Sequence, residues 1–200
     1  MIKIKYILPT VLMLSGLMTS CVTEDDQELP QYNPVIFYED FQTILTDSFD
    51  ATPWTIVNEE GSKSWFSNSY RENGYFEFSP FNSGENLNIS WMITPSINID
   101  EANAKRLIFK VAQHHVVDTT NNYLVVMVSD NFSGDISTAT WVEKNITLPP
   151  TGSAYNYDFY NSGVVDLSEF SGNIHIGFKA VGGTATVNAG AYQIDDIKVF

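Results

Sequence analysis

Two adjacent carboxylates, Asp195 and Asp196, interrupt a run otherwise made of Ile194, Ile197 and Val199. Strict alternation along a strand would send Ile194 and Ile197 to opposite faces. A bulge at the two aspartates lets both isoleucines point inward and leaves a carboxylate pair near a sheet rim. Such a pair suits a hard cation: calcium takes about six to eight oxygens at roughly 2.3–2.6 Å and accepts mixed carboxylate and carbonyl sets. The competing role is structural, since charged side chains protect an edge strand from aggregation.

A second group is aromatic. Tyr155, Tyr157 and Phe159 recur at every second residue and Tyr160 follows, within a polar stretch from Ser153 to Ser162. Tyrosine rings stack on apolar faces and offer a hydroxyl to polar groups. Tyr155, Tyr157 and Tyr160 are therefore candidate sugar-contacting residues, unless the rings simply pack beneath a long loop. His114 and His115 are adjacent; on a strand they would face opposite ways and could not share a metal without a bulge. His175 falls on the polar side of its run and is expected to be exposed. Signals of catalysis are thin: no His-Glu-x-x-His and no Gly-x-Ser-x-Gly occurs. Acids are plentiful, yet nothing singles out a glycosidase-like pair.

The sole cysteine, Cys21, carries different chemistry. Lys3 and Lys5 precede an apolar stretch from Tyr6 to Met18, followed by Thr19, Ser20 and Cys21. This is the layout of a secretory signal, and the apolar stretch is short of the roughly 20 residues of a membrane span. A cysteine directly after small residues resembles a lipobox, with Met18 where leucine is usual. Residues 1–20 read as a lipoprotein signal peptide and Cys21 as the lipidated residue. Residues 21–34 read as an acidic tether ending in Pro34. Glu24, Asp25 and Asp26 resemble the export signal that sends lipoproteins to the outer face of the outer membrane in one Gram-negative phylum. With one cysteine no intramolecular disulfide is available.

These residues need a framework, and the remainder of the chain supplies strands. The chain has 200 residues, 44% hydrophobic and 14% aromatic, enough for one domain with a sizeable core. Its net charge of −14 disfavours nucleic-acid binding. From Val35 onward the hydrophobic period is two. Ile174, Ile176 and Phe178 alternate with polar or small residues, as do Leu107, Phe109 and Val111 with Ile108, Lys110 and Ala112; Ile89, Trp91 and Ile93 share a face. Tyr123–Val128 is apolar on both faces, as in a central strand. Asn73-Gly74, Asn82-Ser83-Gly84, Ser133-Gly134-Asp135, Pro149–Gly152, Ser171-Gly172-Asn173 and Gly182-Gly183 read as turns. Helical turns are expected only near Ile99–Ala104 and Leu167–Phe170. The expected core includes Phe41, Trp54, Trp91, Ile93, Phe109, Leu124, Val126, Val128, Ile176, Phe178 and Ile197.

Several segments in order resemble the cleaved adhesin and choice-of-anchor J domains of bacterial surface proteins. Phe37-Tyr38-Glu39-Asp40-Phe41 is similar to their first strand, and Trp91-Met92-Ile93-Thr94-Pro95 to their Leu-Ile-Thr-Pro stop. Leu107–Gln113 is similar to the central strand and Ile194–Val199 to the last. The resemblance covers about residues 35–200. It implies an all-β, two-sheet antiparallel sandwich of the jelly-roll kind, galactose-binding-like or MAM-like. It also implies a structural calcium between first and last strands, adding Glu39 and Asp40 to Asp195 and Asp196 as candidate ligands. The expected function is adhesion or glycan binding without catalysis, on a surface-exposed lipoprotein of the outer membrane. The alternatives are an assembly subunit that binds another surface protein and, further off, a glycan hydrolase.

Overall fold

The computed structural model describes residues 32–46 and 50–200. The signal peptide, Cys21 and nearly all of the acidic tether lie outside the described residues. A compact unit spans Asn33–Phe200. Among the described residues no helix is long and apolar enough to cross a membrane.

The regular elements are strands and short 3-10 turns, in chain order β1 (Phe37–Glu39), β2 (Thr55–Glu60), β3 (Phe66–Tyr70), β4 (Asn73–Phe78), β5 (Asn88–Ile93), β6 (Ile97–Asn98), β7 (Arg106–His114), β8 (Tyr123–Ser129), β9 (Val142–Lys144), β10 (Tyr160–Asn161), β11 (Val165–Asp166), β12 (Asn173–Gly182) and β13 (Ala191–Val199). One sheet runs β10-β7-β13-β4-β3, with β1 also on β13 and β11 also on β7. The other runs β2-β5-β12-β8-β9, with β6 on β12. Every pairing is antiparallel. Two facing sheets with one apolar side each form a β-sandwich, as the alternation predicts. Of the two expected helical turns, one is a 3-10 turn at Ile99–Glu101, and the other is a single turn closed by the Phe170 N–H on the Leu167 carbonyl at 3.0 Å.

The inner faces hold Phe76 and Phe78 of β4, Phe109 and Val111 of β7, Val126 and Val128 of β8, Ile176 and Phe178 of β12 and Ile194 and Ile197 of β13, all buried. All eleven expected core residues are buried, but they do not form one cluster. Trp91 and Ile93 belong to a second, small core with Phe132, packed with Trp141, Ile136 and Met127. Alternation groups Trp91 with Ile93 but does not say which face they take. Met92 points between the sheets, so its neighbours point outward and are covered by the loop from residue 130 to 141.

Two local readings need correction. Asn73-Gly74 is not a turn: β4 begins at Asn73, and Arg71, with φ 56°, takes the left-handed position. The glycine is required for a different reason, since a Cβ at Gly74 would lie 2.3 Å from the carbonyl oxygen of Phe41. His175 is half-buried: its Nδ1 is 2.9 Å from the Thr94 carbonyl and its ring meets Phe132 edge-on.

The bulge in the last strand is present. Pairing with β7 is regular from Ala191 to Asp195, then shifts before Lys198, and Asp196 has φ 50°. Ile194 and Ile197 are both fully buried, which the extra residue makes geometrically consistent.

Candidate functional site

The outer face of the β10-β7-β13-β4-β3 sheet is built by the residues that alternate with the core. Tyr75 and Glu77 flank Phe76 on β4; Gln193 and Asp195 flank Ile194 on β13; Lys110 follows Phe109 on β7. Tyr157 and Phe159 come from the loop before β10, and Tyr70 ends β3. These strands and loops enclose a groove of about 790 Å³ lined by Tyr70, Asn73, Tyr75, Lys110, Tyr157, Phe159, Gln193 and Asp195. That volume lies within the usual range of small-ligand sites, roughly 300–1,000 Å³.

The groove is aromatic at its rims and polar on its floor. Tyr70 and Tyr157 are 66% and 53% exposed. Tyr75 packs against Phe159 with centroids 5.8 Å apart. Beneath them Glu77 is buried and accepts hydrogen bonds from Gln193 Nε2 at 2.8 Å and Asn68 Nδ2 at 3.2 Å, with His114 Nε2 3.7 Å away. Burial opposes its ionisation, but the nearby His114 ring and the hydrogen bonds from Gln193 and Asn68 together prevail and hold the carboxyl below the usual range. Burial, then the Glu77 charge, pushes the Tyr75 hydroxyl up. The lining therefore presents the Asn73 and Gln193 amides and the Asp195 carboxylate between aromatic rings, with Glu77 behind Gln193.

The structure places the sequence-derived aromatics differently from one another. Tyr157 lines the groove, on a left-handed backbone with φ 70°. Tyr155 lies in the 3-10 turn Ser153–Tyr155 and Tyr160 sits in β10 opposite Val111; neither is part of the lining. Tyr70, Tyr75 and Gln193 were not anticipated as site residues. The signal for Tyr75 and Gln193 is present in the sequence, as polar and aromatic residues alternating with fully apolar ones.

The candidate calcium ligands divide. Along one edge of β13 the neighbour changes at the bulge: β4 pairs as far as Ile194, and β1 takes over with Glu39 opposite Ile197. Asp196 has its cations already, with Oδ2 2.6 Å from Lys110 Nζ and Oδ1 3.9 Å from Lys198 Nζ. Burial pushes the Asp196 carboxyl up, but the hydrogen bonds from Lys110 and Tyr38 and the charges of Lys110 and Lys198 together hold it low. Asp40 accepts from the Gln42 N–H at 3.1 Å and the Tyr38 hydroxyl at 3.2 Å. Glu39 and Asp195 differ: among the described residues neither is in an ion pair. Burial raises both carboxyls, and the charges of Asp40 and then Asp195 raise Glu39 further, against the hydrogen bond it accepts from the Phe41 N–H at 2.7 Å. Asp195 Oδ2 accepts from Asn73 Nδ2 at 3.1 Å, and Gln42 Nε2 donates to Asn73 Oδ1 at 3.0 Å. Among the described residues no group of three or more His, Cys, Asp or Glu is arranged around one metal position. A buried Asp195 beside the Asn73 amide and a half-buried Glu39 fit calcium if amide, carbonyl and water oxygens complete the sphere.

The histidines depart from expectation. His115 leaves the strand with φ 58° instead of continuing the alternation. The two rings therefore meet, with Nδ1 atoms 2.9 Å apart.

The architecture is that of a two-sheet antiparallel β-sandwich, and solved structures of adhesin domains share it. The K1 cleaved adhesin domain of Lys-gingipain from Porphyromonas gingivalis matches with a TM-score of 0.54 at 16% identity, covering 82% of this chain and 96% of that one. The K3 cleaved adhesin domain from the same organism matches at 0.52 and 14%, covering 83% and 99%. The K2 cleaved adhesin domain matches at 0.52 and 14%, covering 82% and 98%. At identity this low the structural matches establish the shared fold alone. No family model matches the chain, and no curated protein does.

Proposed function

We propose that the protein is a non-catalytic, glycan-binding adhesion lipoprotein, tethered through Cys21 to the outer membrane and displayed at the cell surface. The groove on the β7-β13-β4 face carries this reading. Its exposed Tyr70 and Tyr157 can stack on sugar rings, and Asn73, Gln193 and Lys110 offer donors to hydroxyls. The Asp195 carboxylate is held by the Asn73 amide, which suits an acceptor of fixed direction. The adhesin domains that share the fold give the adhesion half of the proposal its support. Calcium, bound by Glu39 and Asp195, would tie the first strand to the last beside the groove floor.

A glycan array probed with the protein tests the binding claim. Retention of a defined set of oligosaccharides, without release of reducing ends on prolonged incubation, is the expected outcome. Release of reducing ends would make the protein a hydrolase, and an empty array would favour a protein partner. The anchor is tested separately. Cys21→Ala is expected to abolish lipid labelling and to release the protein from membranes or leave its precursor unprocessed. Unchanged labelling and membrane association in that variant would refute lipidation. On intact cells, added protease should remove the domain; protection until the outer membrane is broken would place it in the periplasm.

A further inference from the structure

We propose that His114 and His115 form a two-histidine site for a tetragonal divalent transition-metal ion, Cu²⁺ or Ni²⁺, against Tyr157 of the groove wall. Consecutive residues on a strand face opposite ways, and β7 ends at His114. The left-handed backbone of His115, secured by its N–H on Asn156 Oδ1 at 3.0 Å, turns the second ring back toward the first. The Nδ1 atoms come within 2.9 Å and the rings stand at 87°. An imidazole is a ligand for such ions through a nitrogen lone pair.

The surroundings select which nitrogen of His114 is free. Its Nε2 faces Glu77 Oε1 at 3.7 Å, and Glu77 is fixed by Gln193 and Asn68. A carboxylate behind one ring nitrogen keeps the proton there and leaves the other to the metal, as in carboxylate–histidine–metal arrangements. Tyr157 stacks on the His114 ring at 4.4 Å and 23°, which holds the ring plane. Without metal the same spacing is a hydrogen bond in which the His115 Nδ1–H donates to His114 Nδ1. On binding, His115 moves that proton to Nε2, so both Nδ1 atoms coordinate and no net proton is lost.

The spacing also selects the ion. With metal–nitrogen bonds of about 2.0–2.1 Å, nitrogens 2.9 Å apart subtend about 90° at the metal. A tetrahedral ion such as Zn²⁺ would need about 3.4 Å between them at the same bond length. An edge of 90° belongs to square-planar or octahedral coordination, which points to Cu²⁺ or Ni²⁺, with Cu²⁺ the tighter by the general order of divalent affinities. His115 is exposed, so water can fill the remaining positions.

The test is a titration of the protein with Cu²⁺ at about pH 7.5, above the ordinary histidine pKa of about 6.5, followed by calorimetry and electron paramagnetic resonance. One equivalent should bind with an axial spectrum carrying two imidazole nitrogen couplings. His114→Ala and His115→Ala should each weaken binding by about tenfold or more and leave one coupled nitrogen. Glu77→Gln should weaken it by about tenfold, the scale of losing a supporting carboxylate, while both nitrogens remain. His175→Ala should change nothing. The inference is overturned if the wild type binds no Cu²⁺. It is also overturned if the doubly substituted variant, shown to be folded by its melting temperature, binds it as the wild type does.

Discussion

Phe178→Ala is expected to destabilise the protein by about 3–5 kcal/mol, the range for truncating a buried phenylalanine. Phe178 is fully buried in β12, between β5 and β8, and meets Phe109 of the opposite sheet edge-on with centroids 5.1 Å apart. The ring thus bridges the two layers at the centre of the sandwich, where neighbouring strands are fixed on both sides and cannot collapse into a cavity. For a domain of this size about 1 kcal/mol shifts the melting temperature by roughly 2–4 °C, so a fall of roughly 6–20 °C should appear in calorimetry. A fall below about 2 °C, the shift of less than 1 kcal/mol, would mean that the layers do not meet at Phe178.

Replacing a chelator by millimolar calcium is expected to raise the melting temperature by roughly 5–10 °C. Burial raises the carboxyls of Glu39 and Asp195, and each lacks an ion pair among the described residues. A divalent cation would neutralise both and close the edge of β13 where β4 gives way to β1. Free calcium a hundredfold above the dissociation constant contributes roughly 2.7 kcal/mol, which gives the temperature range above. Extracellular calcium sites can be as weak as roughly 10⁻⁴–10⁻³ M, so the titration must reach millimolar concentrations. Asp195→Asn should remove most of the shift. Asp196→Asn should remove less, because Lys110 and Lys198 already hold that carboxylate. Identical melting temperatures in calcium and chelator would leave Glu39 and Asp195 as acids of the β1–β13 pair with no cation between them.

The sequence was informative wherever the deciding interaction is local. Period-two alternation located β7 and the start of β12, where core residues alternate with less buried ones. The clash between Ile194 and Ile197 located the bulge without reference to any other strand. Long-range choices were less legible. Trp91 and Ile93 are buried, but on the outer side of β5 beneath the loop that carries Phe132 and Trp141, and no pattern within β5 distinguishes its two faces. Asn73-Gly74 has the composition of a turn, yet Gly74 is needed for the close approach of Phe41. The groove was read through Tyr157 alone of the three named tyrosines. Its other walls, Tyr70, Lys110 and Gln193, are far apart in sequence and converge only through the pairings of β4 and β7 with β13. The left-handed turn at His115 likewise has no glycine to announce it.

Calorimetric titration of the glycan that the array selects into wild-type protein, Tyr157→Ala and Gln193→Ala tests glycan binding in the groove most directly. Tyr157 and Gln193 line opposite parts of the site, one exposed and one at the floor. The expected result is one site in the wild type and a loss of roughly tenfold in each variant. That is about 1.4 kcal/mol, the scale of truncating an anchor residue. Wild-type affinity in both variants, with their melting temperatures unchanged, would contradict the account and move the binding surface away from the β7-β13-β4 face.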